Sequence, residues 1–533
     1  MRDEPVASPA PGTLLSVADL PRDLWPEGTA KGFRVEYQGV NYRGGPRAVA
    51  GSVFVPETAP VGPTWPVLSW AHCTVGLNSS NAPSLVGLHP AERGHLTDWL
   101  RRGFVVAATD YEGLGTPEPH PYLNGEAIAD DIVDIVRAVH HLGIPVDTRT
   151  VVAGFSQGGH GALYTAVMCA GYAPELDFRG TVSLAPPVRF LDFIQLRTVK
   201  GEDTVDALVP VVLAGLHVTH PGFAPERFLT ATGLRLLELA ASGSMRDVEE
   251  AAAGTSNDEA GLTDLTERRD VRELLAYADL PVTRYDRPVF LGAGEHDPIL
   301  PAEQAASFAR AMSAAGNEVT FRGYDGADHL ELLVPAGADA AAWAWDLVTA
   351  APRVVRAATG RASTRDRRFR VLDATGDGQL GRDDFEALAL RLVQGFGQPP
   401  GSPLALEIRS GYRAFWTALR DHLDADRDGQ VGIEEFLAAA GTLPEGFDRV
   451  VTGLASAVVA LVGPDVDAGL SRTRFGALLA GCGIGGHESG ELFDELDADG
   501  SGHVSVAEIV ASVRDFCLGE RPESPGYWLF GRV

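Results

Sequence analysis

Gly154-Phe155-Ser156-Gln157-Gly158 sits directly between an apolar run at residues 150–153 and a helical stretch at 160–170. G-x-S-x-G alone arises by chance, but between a strand and a helix it leaves few folds open. A strand that turns this sharply into a helix needs glycine on both sides of the serine, because neighbouring backbone crowds the turn. The turn lifts the serine hydroxyl to the carboxyl edge of a sheet, where a hydroxyl can act as a nucleophile.

The rest of the first 350 residues supports such a sheet. Residues 33–37, 49–55 and 66–70 read as strands, 92–102 as a helix and 104–109 (FVVAAT) as a buried strand. Residues 126–142 carry Ile128, Ile132, Ile135, Val136 and Val139 at helical spacing. Strand patterns resume at 180–184 and 288–292, then a helix at 304–315, a strand at 318–323 and a helix at 339–350. Buried strands alternating with helices predict an α/β class with a mainly parallel sheet covered on both faces. The stretch between 184 and 288 is too long for a plain connection and is rich in Ala, Leu and Glu, with helical runs at 224–242 and 247–254. It reads as a helical cap inserted at about 188–285. The Pro- and Gly-rich residues 1–30 read as an irregular arm, 31–350 as the capped α/β domain, 351–365 as a linker and 366–533 as a second domain.

A serine hydroxyl needs a base, and the base needs an acid to orient it. In an α/β-hydrolase fold these follow in the order Ser, acid, His, each after a strand. The strand VFLGAG leads into Glu295-His296-Asp297-Pro298, and VTFRGY into Asp325-Gly326-Ala327-Asp328-His329. Asp297 and His329 therefore stand where the acid and base belong, with Glu295, His296 and Asp328 as competitors. Two backbone N–H groups must receive the oxyanion. One belongs to Gln157, after the nucleophile. The other comes from the loop Trp70-Ala71-His72-Cys73-Thr74-Val75-Gly76, where Cys73 and Thr74 are the alternatives. Cys73 itself reads as a small buried residue, since no histidine is placed to activate it.

The run Asp110-Tyr111-Glu112-Gly113-Leu114-Gly115-Thr116, followed by His120-Pro121-Tyr122-Leu123, resembles the secretory lipase (lipase A-like) family, as do GFSQGG and GEHDPILP. The resemblance covers roughly residues 20–350. It implies hydrolysis of carboxylic esters or triacylglycerols through a Ser156–His329–Asp297 triad, a helical cap over the pocket, and secretion. The family usually carries glycine where this chain has Cys73. The same triad would also serve a thioesterase, amidase or acyltransferase, and a vestigial hydrolase carried by a calcium-binding protein is the other alternative.

The C-terminal third carries a different signature. Calcium takes six to eight hard oxygens, and a twelve-residue EF-hand loop supplies them from positions 1, 3, 5, 7, 9 and 12, with glycine at 6. Residues 373–384 offer Asp373, Thr375, Asp377 and Asp384, with Gly378 at the turn. Residues 424–435 offer Asp424, Asp426, Asp428 and Glu435, and residues 497–508 offer Asp497, Asp499, Ser501 and Glu508. Position 7, which lends its carbonyl, is Gln379, Gln430 or His503. Three matches in one chain predict up to three Ca²⁺ sites. The shorter Asp384 at position 12 predicts a weaker first site, or one that accepts Mg²⁺. A fourth copy, 463–474, begins with Gly463 and ends with Arg474, which predicts a metal-free loop retained to pair with the last one. The runs FRVLDATGDGQL, FWTALRDHLDADRDG and SPGYWLFG resemble the calerythrin and sarcoplasmic calcium-binding protein group, which implies a compact all-α domain of four EF-hands over 366–533. Only four methionines occur in the chain, so a Met-rich target groove is not expected.

Composition bounds the remaining partners. A net charge of −28 argues against nucleic acid and anionic membrane surfaces. No apolar run is long enough to span a bilayer. Cys73, Cys169, Cys482 and Cys517 show neither paired nor zinc spacing. The start, MRDEPVASPAPGTLLSV, lacks a basic segment followed by a long apolar one, which reads as cytoplasmic, whereas the family resemblance implies export.

Overall fold

The computed structural model describes residues 9–350, without 43–44, 174, 200–203, 221–222, 276–277, 279, 281, 283–284 and 286. It also describes residues 368–518, without 370, 375–378, 397–401, 426, 428, 439–442, 444–445, 463–468 and 482–485. The chain divides into two compact units, Met1–Ala351 and Pro352–Val533. The segment read as a linker, 351–365, lies outside the described residues.

The first unit is built on nine strands: β1 (Leu14–Asp19), β2 (Thr29–Val40), β3 (Pro46–Pro56), β4 (Trp65–Ala71), β5 (Val105–Thr109), β6 (Val146–Phe155), β7 (Asp177–Leu184), β8 (Val289–Gly294) and β9 (Val319–Tyr324). They form one sheet in the order β1-β2-β3-β5-β4-β6-β7-β8-β9. From β5 to β9 every neighbouring pair is parallel, while β1, β2 and β3 join antiparallel at one edge. β1 corrects the reading of residues 1–30 as an irregular arm. Leu14 pairs with Tyr37 and Asp19 with Phe33, so the edge of β2 takes up backbone groups that would otherwise face water. The strand's largely exposed side chains gave no apolar pattern to reveal it.

Alternation along the inner strands sorts the core into two layers. Val67 and Ala71 of β4 and Val289 and Leu291 of β8 face the helices Gly125–His140, Gln157–Tyr172 and Ala302–Ala314. Leu68, Trp70 and Phe290 face the opposite way, onto the helices Pro90–Arg102 and Leu333–Thr349. Two of these helices have a physical start or stop in the sequence. Asn124 caps Gly125–His140 by accepting the Ala127 N–H, and Gly103, in left-handed conformation, ends Pro90–Arg102.

Between β7 and β8 the chain forms helices that include Phe190–Arg197, Leu208–Thr219, Ala231–Ser242, Met245–Ala252 and Arg269–Leu275. They share a separate apolar core, with Ile194, Val212, Leu236, Val248 and Leu275 buried in it. Tyr122, Leu123 and Leu300 from the sheet's loops enter the same cluster. Leu208–Thr219 (LVPVVLAGLHVT) is apolar on nearly every face, and this lack of periodicity hid it among the sequence patterns.

The second unit is helical around four two-residue strands: β10 (Gln379–Leu380), β11 (Val431–Gly432), β12 (Leu470–Ser471) and β13 (His503–Val504). β10 pairs with β11 through Leu380 and Val431, and β12 with β13 through Leu470 and Val504. Position 8 of one loop thus meets position 8 of the next, including the fourth copy. Phe385, Phe415, Trp416, Phe447, Phe475 and Phe493 fill one common core, with the Phe385 and Trp416 rings 5.2 Å apart.

Candidate active site and calcium loops

Ser156 stands between β6 and the helix Gln157–Tyr172 with φ 54° and ψ −116°, a backbone conformation that costs a non-glycine residue on the order of 1–3 kcal/mol. The surroundings enforce it. The Ser156 N–H donates to Leu184 O of β7 at 2.9 Å. A Cβ at Gly154 would lie 2.1 Å from Gly158 O, and one at Gly158 would lie 1.9 Å from Ala71 O. The two motif glycines are therefore required by the close approach of backbone to backbone.

The loops after β8 and β9 bring the other two residues to this serine. The His329 Nδ1–H donates to Asp297 Oδ2 at 2.6 Å, and the Ser156 hydroxyl lies 3.1 Å from His329 Nε2. Asp297 Oδ1 accepts the N–H groups of Ile299 (2.8 Å) and Leu300 (2.9 Å), which fixes the carboxylate. Phe155 packs its ring 4.8 Å from the His329 ring. The competitors make other contacts. Asp328 Oδ1 accepts the N–H groups of Leu330 and Glu331, holding the turn before Leu333–Thr349. Glu295 and His296 anchor their loop by donating backbone N–H groups to Tyr324 O and Ala327 O.

At the expected oxyanion position, Gln157 opens its helix, so its N–H has no intrahelical acceptor. On the β4 loop the alternatives separate. The Cys73 N–H donates to Glu92 Oε1 at 3.1 Å, and the thiol donates to Glu92 Oε2 at 3.3 Å. Cys73 is thereby corrected as a candidate donor, since a buried carboxylate already holds its N–H. No partner takes the Thr74 N–H among the described residues. Glu92 also accepts the Trp70 indole N–H at 3.2 Å. Burial pushes its carboxyl up to about 7 against these three donors. Burial and the Glu92 charge push the Cys73 thiol up, consistent with a structural thiol. Nothing in the local sequence around Glu92 signals this role, because its partners lie some twenty residues earlier.

A cavity lies between Tyr122, Leu123 and Asn124 on one side and Val212, Leu216, Thr219, Leu275 and Ala278 of the inserted helices on the other. Tyr122 connects it to the β4 loop, its hydroxyl 2.7 Å from Thr74 Oγ1.

In the second unit, Asp497, Asp499 and Glu508 bring carboxylate oxygens within 4.8 Å of one another, a donor set of hard oxygens that fits calcium. Gly502, at position 6, has φ 78° and donates its N–H to Asp497 Oδ2. Ser501 Oγ donates to the His503 carbonyl. The loop at 424–435 repeats this pattern. Gly429 has φ 89° and donates to Asp424 Oδ2, while Glu435 accepts the Ala425 and Gly432 N–H groups as Glu508 accepts those of Ala498 and Ser505. In the first loop Asp384 is buried and accepts the Gly381 N–H at 2.6 Å. The expected ligands Thr375, Asp377, Asp426 and Asp428 lie outside the described residues, whereas Asp373, Gln379 and Gln430 lie within them.

Comparison with known proteins agrees with both units. A profile of the secretory lipase family matches residues 88–354, half of the chain, and an EF-hand profile matches residues 490–511. A probable inactive lipase of Mycobacterium tuberculosis is 26% identical over 340 residues, covering 60% of this chain and 75% of that one. Calerythrin of Saccharopolyspora erythraea is 27% identical over 158 residues, covering 29% of this chain and 89% of its own length. Among solved structures, the rice cell wall degrading esterase LipA of Xanthomonas oryzae superposes with a TM-score of 0.52 at 20% identity, over 63% of this chain and 98% of that one. With an α/β-hydrolase fold in its first unit and a calcium-binding EF-hand segment in its second, this chain belongs to the secretory lipase family.

Proposed function

We propose that this chain is a serine carboxylic ester hydrolase acting through an acyl-enzyme, with Ser156 as nucleophile, His329 as base and Asp297 as its orienting acid. The chain of hydrogen bonds from Ser156 Oγ through the His329 ring to Asp297 carries the reading. His329 Nε2 takes the serine proton as Oγ attacks the ester carbonyl carbon. The N–H groups of Gln157 and Thr74 receive the oxyanion that forms. As the C–O bond to the leaving group breaks, the imidazolium returns the proton to the departing alkoxide, leaving an acyl group on Ser156. Water then attacks that carbonyl, again giving its proton to His329, and the carboxylic acid departs as Ser156 regains its proton. We assign the acyl or alcohol portion of the ester to the cavity beside Tyr122, a reading supported by its apolar lining and by the Tyr122 hydroxyl's bond to Thr74.

The second unit binds calcium, and we assign the ion to the loops beginning at Asp373, Asp424 and Asp497. The last has the most complete donor set among the described residues. Bound calcium supplies charge neutralisation where carboxylates crowd, so it acts as a folding ligand there. Asp384 makes the first site the weaker one, or one that admits Mg²⁺.

The name of the Mycobacterium tuberculosis relative favours a second reading, a hydrolase fold without turnover, and one measurement separates the two. Initial rates on short and long p-nitrophenyl esters, with and without chelator, should exceed those of Ser156→Ala by about 10⁴-fold or more. Equal rates for the two proteins would leave the calcium-binding reading and that of a triad acting on a different acyl substrate.

A further inference from the structure

The loop from Asp110 to Asn124, between β5 and Gly125–His140, contacts both Gln157 and Thr74. On one side the His120 Nδ1–H donates to the Glu112 carbonyl at 2.7 Å, which leaves Nε2 as an acceptor for the side-chain N–H of Gln157 at 2.9 Å. Burial pushes the His120 imidazole down to about 3, so the ring stays neutral and keeps this acceptor. On the other side the Tyr122 hydroxyl bonds Thr74 Oγ1 at 2.7 Å. The two ties are joined: the His120 ring lies edge-on to Tyr122 at 6.0 Å and parallel to Tyr111 at 5.9 Å. Tyr111 in turn donates its hydroxyl to the carbonyl of His72, two residues before Thr74.

The loop's backbone is built for this placement. Tyr111 and Leu123, neither of them glycine, hold φ at 70° and 60°. A Cβ on Gly113 would lie 2.3 Å from His120 N, so only glycine lets the loop fold back onto His120.

We propose that His120 and Tyr122 are positioning residues that aim the two oxyanion donors, acting through the side chains of Gln157 and Thr74. The inference rests on reading Ser156 as the nucleophile and those two N–H groups as the donors. The direction of a backbone N–H follows the tilt of its peptide plane. A tether on the same residue's side chain limits that tilt where the donor must meet an oxyanion at about 2.7–3.1 Å.

The test uses the full chain with calcium and reads kcat and KM on p-nitrophenyl butyrate, the rate of Ser156 labelling by a p-nitrophenyl alkylphosphonate, and Tm. Tyr122→Phe and Thr74→Val each remove the same hydrogen bond while keeping the Thr74 N–H. Each should lower kcat and the labelling rate about tenfold with KM within about twofold, and the double variant should be no slower than either single one. His120→Leu should behave likewise, and His120→Gln, which retains an acceptor for Gln157, should recover most of the loss. The positioning role is overturned if kcat is unchanged, if KM alone rises, if the two losses multiply, or if rates fall only in step with Tm. A wild-type chain that neither turns over ester nor accepts the phosphonate at Ser156 removes the nucleophile reading and this inference together. Normal wild-type rates matched by the variants remove this inference alone.

Discussion

The two units place the oxygens of their candidate sites by opposite means. In the calcium loops, each set of ligands comes from twelve consecutive residues, and the sharp turn falls on Gly429 or Gly502, which adopts positive φ without strain. In the hydrolase unit the sharp turn falls on the proposed nucleophile itself, Ser156, at φ 54°. His329, its hydrogen-bond partner, lies 173 residues further on, and Asp297 lies 32 residues before His329. A local site can be written into a short segment and copied along a chain, as the repeated loops show. A dispersed site exists only while β6, β8 and β9 stay in register, so it depends on the whole sheet.

This contrast can be broken experimentally. The largest effect is expected at the dispersed site. Asp297→Asn keeps an oxygen for the Ile299 and Leu300 N–H groups but loses the acceptor of the His329 Nδ1–H. Ester turnover should fall about 10⁴-fold with little change in Tm. A loss below tenfold would remove Asp297 from the mechanism. At the local site, Glu508→Gln removes one charge from a single loop and should weaken one calcium site about tenfold or more by calorimetric titration. Ester turnover at saturating calcium should stay unchanged. A parallel fall in turnover would show that the two units are coupled and that the local site is not local in effect.

The smallest effect concerns Glu92, which belongs to the dispersed network without touching the serine. Its buried carboxyl, raised to about 7, holds a proton that the unfolded chain, ionising near 4.3, has already released. The folded state therefore loses stability as pH rises between those values, and the full penalty stands above pH 7. Glu92→Gln lacks the penalty, so its Tm relative to wild type should climb by roughly 2–4 °C between pH 5 and pH 8 in thermal melts. A difference independent of pH would mean that Glu92 ionises normally.

The loop sequences alone carried the calcium-binding segment, because positions 1, 3, 5, 6 and 12 are counted along the chain and Asp497, Asp499 and Glu508 converge simply by following it. Strand–helix alternation and the Gly154–Gly158 turn likewise carried the α/β class, since period and steric crowding are local properties. Three matters were decided only by tertiary structure. β1 became a strand because β2 offered it an edge. Cys73 and Thr74 are adjacent and equivalent in sequence, and they separated only when Glu92, on the helix Pro90–Arg102, took the Cys73 N–H. His120 and Tyr122 gained their contacts because the loop from Asp110 to Asn124 folds back at Gly113, bringing Gln157 and Thr74 within hydrogen-bond reach. Such contacts join residues 37 and 48 positions apart. Sequence periodicity reports which face a residue occupies; which neighbour it meets there depends on how the loops at the end of the sheet close over one another.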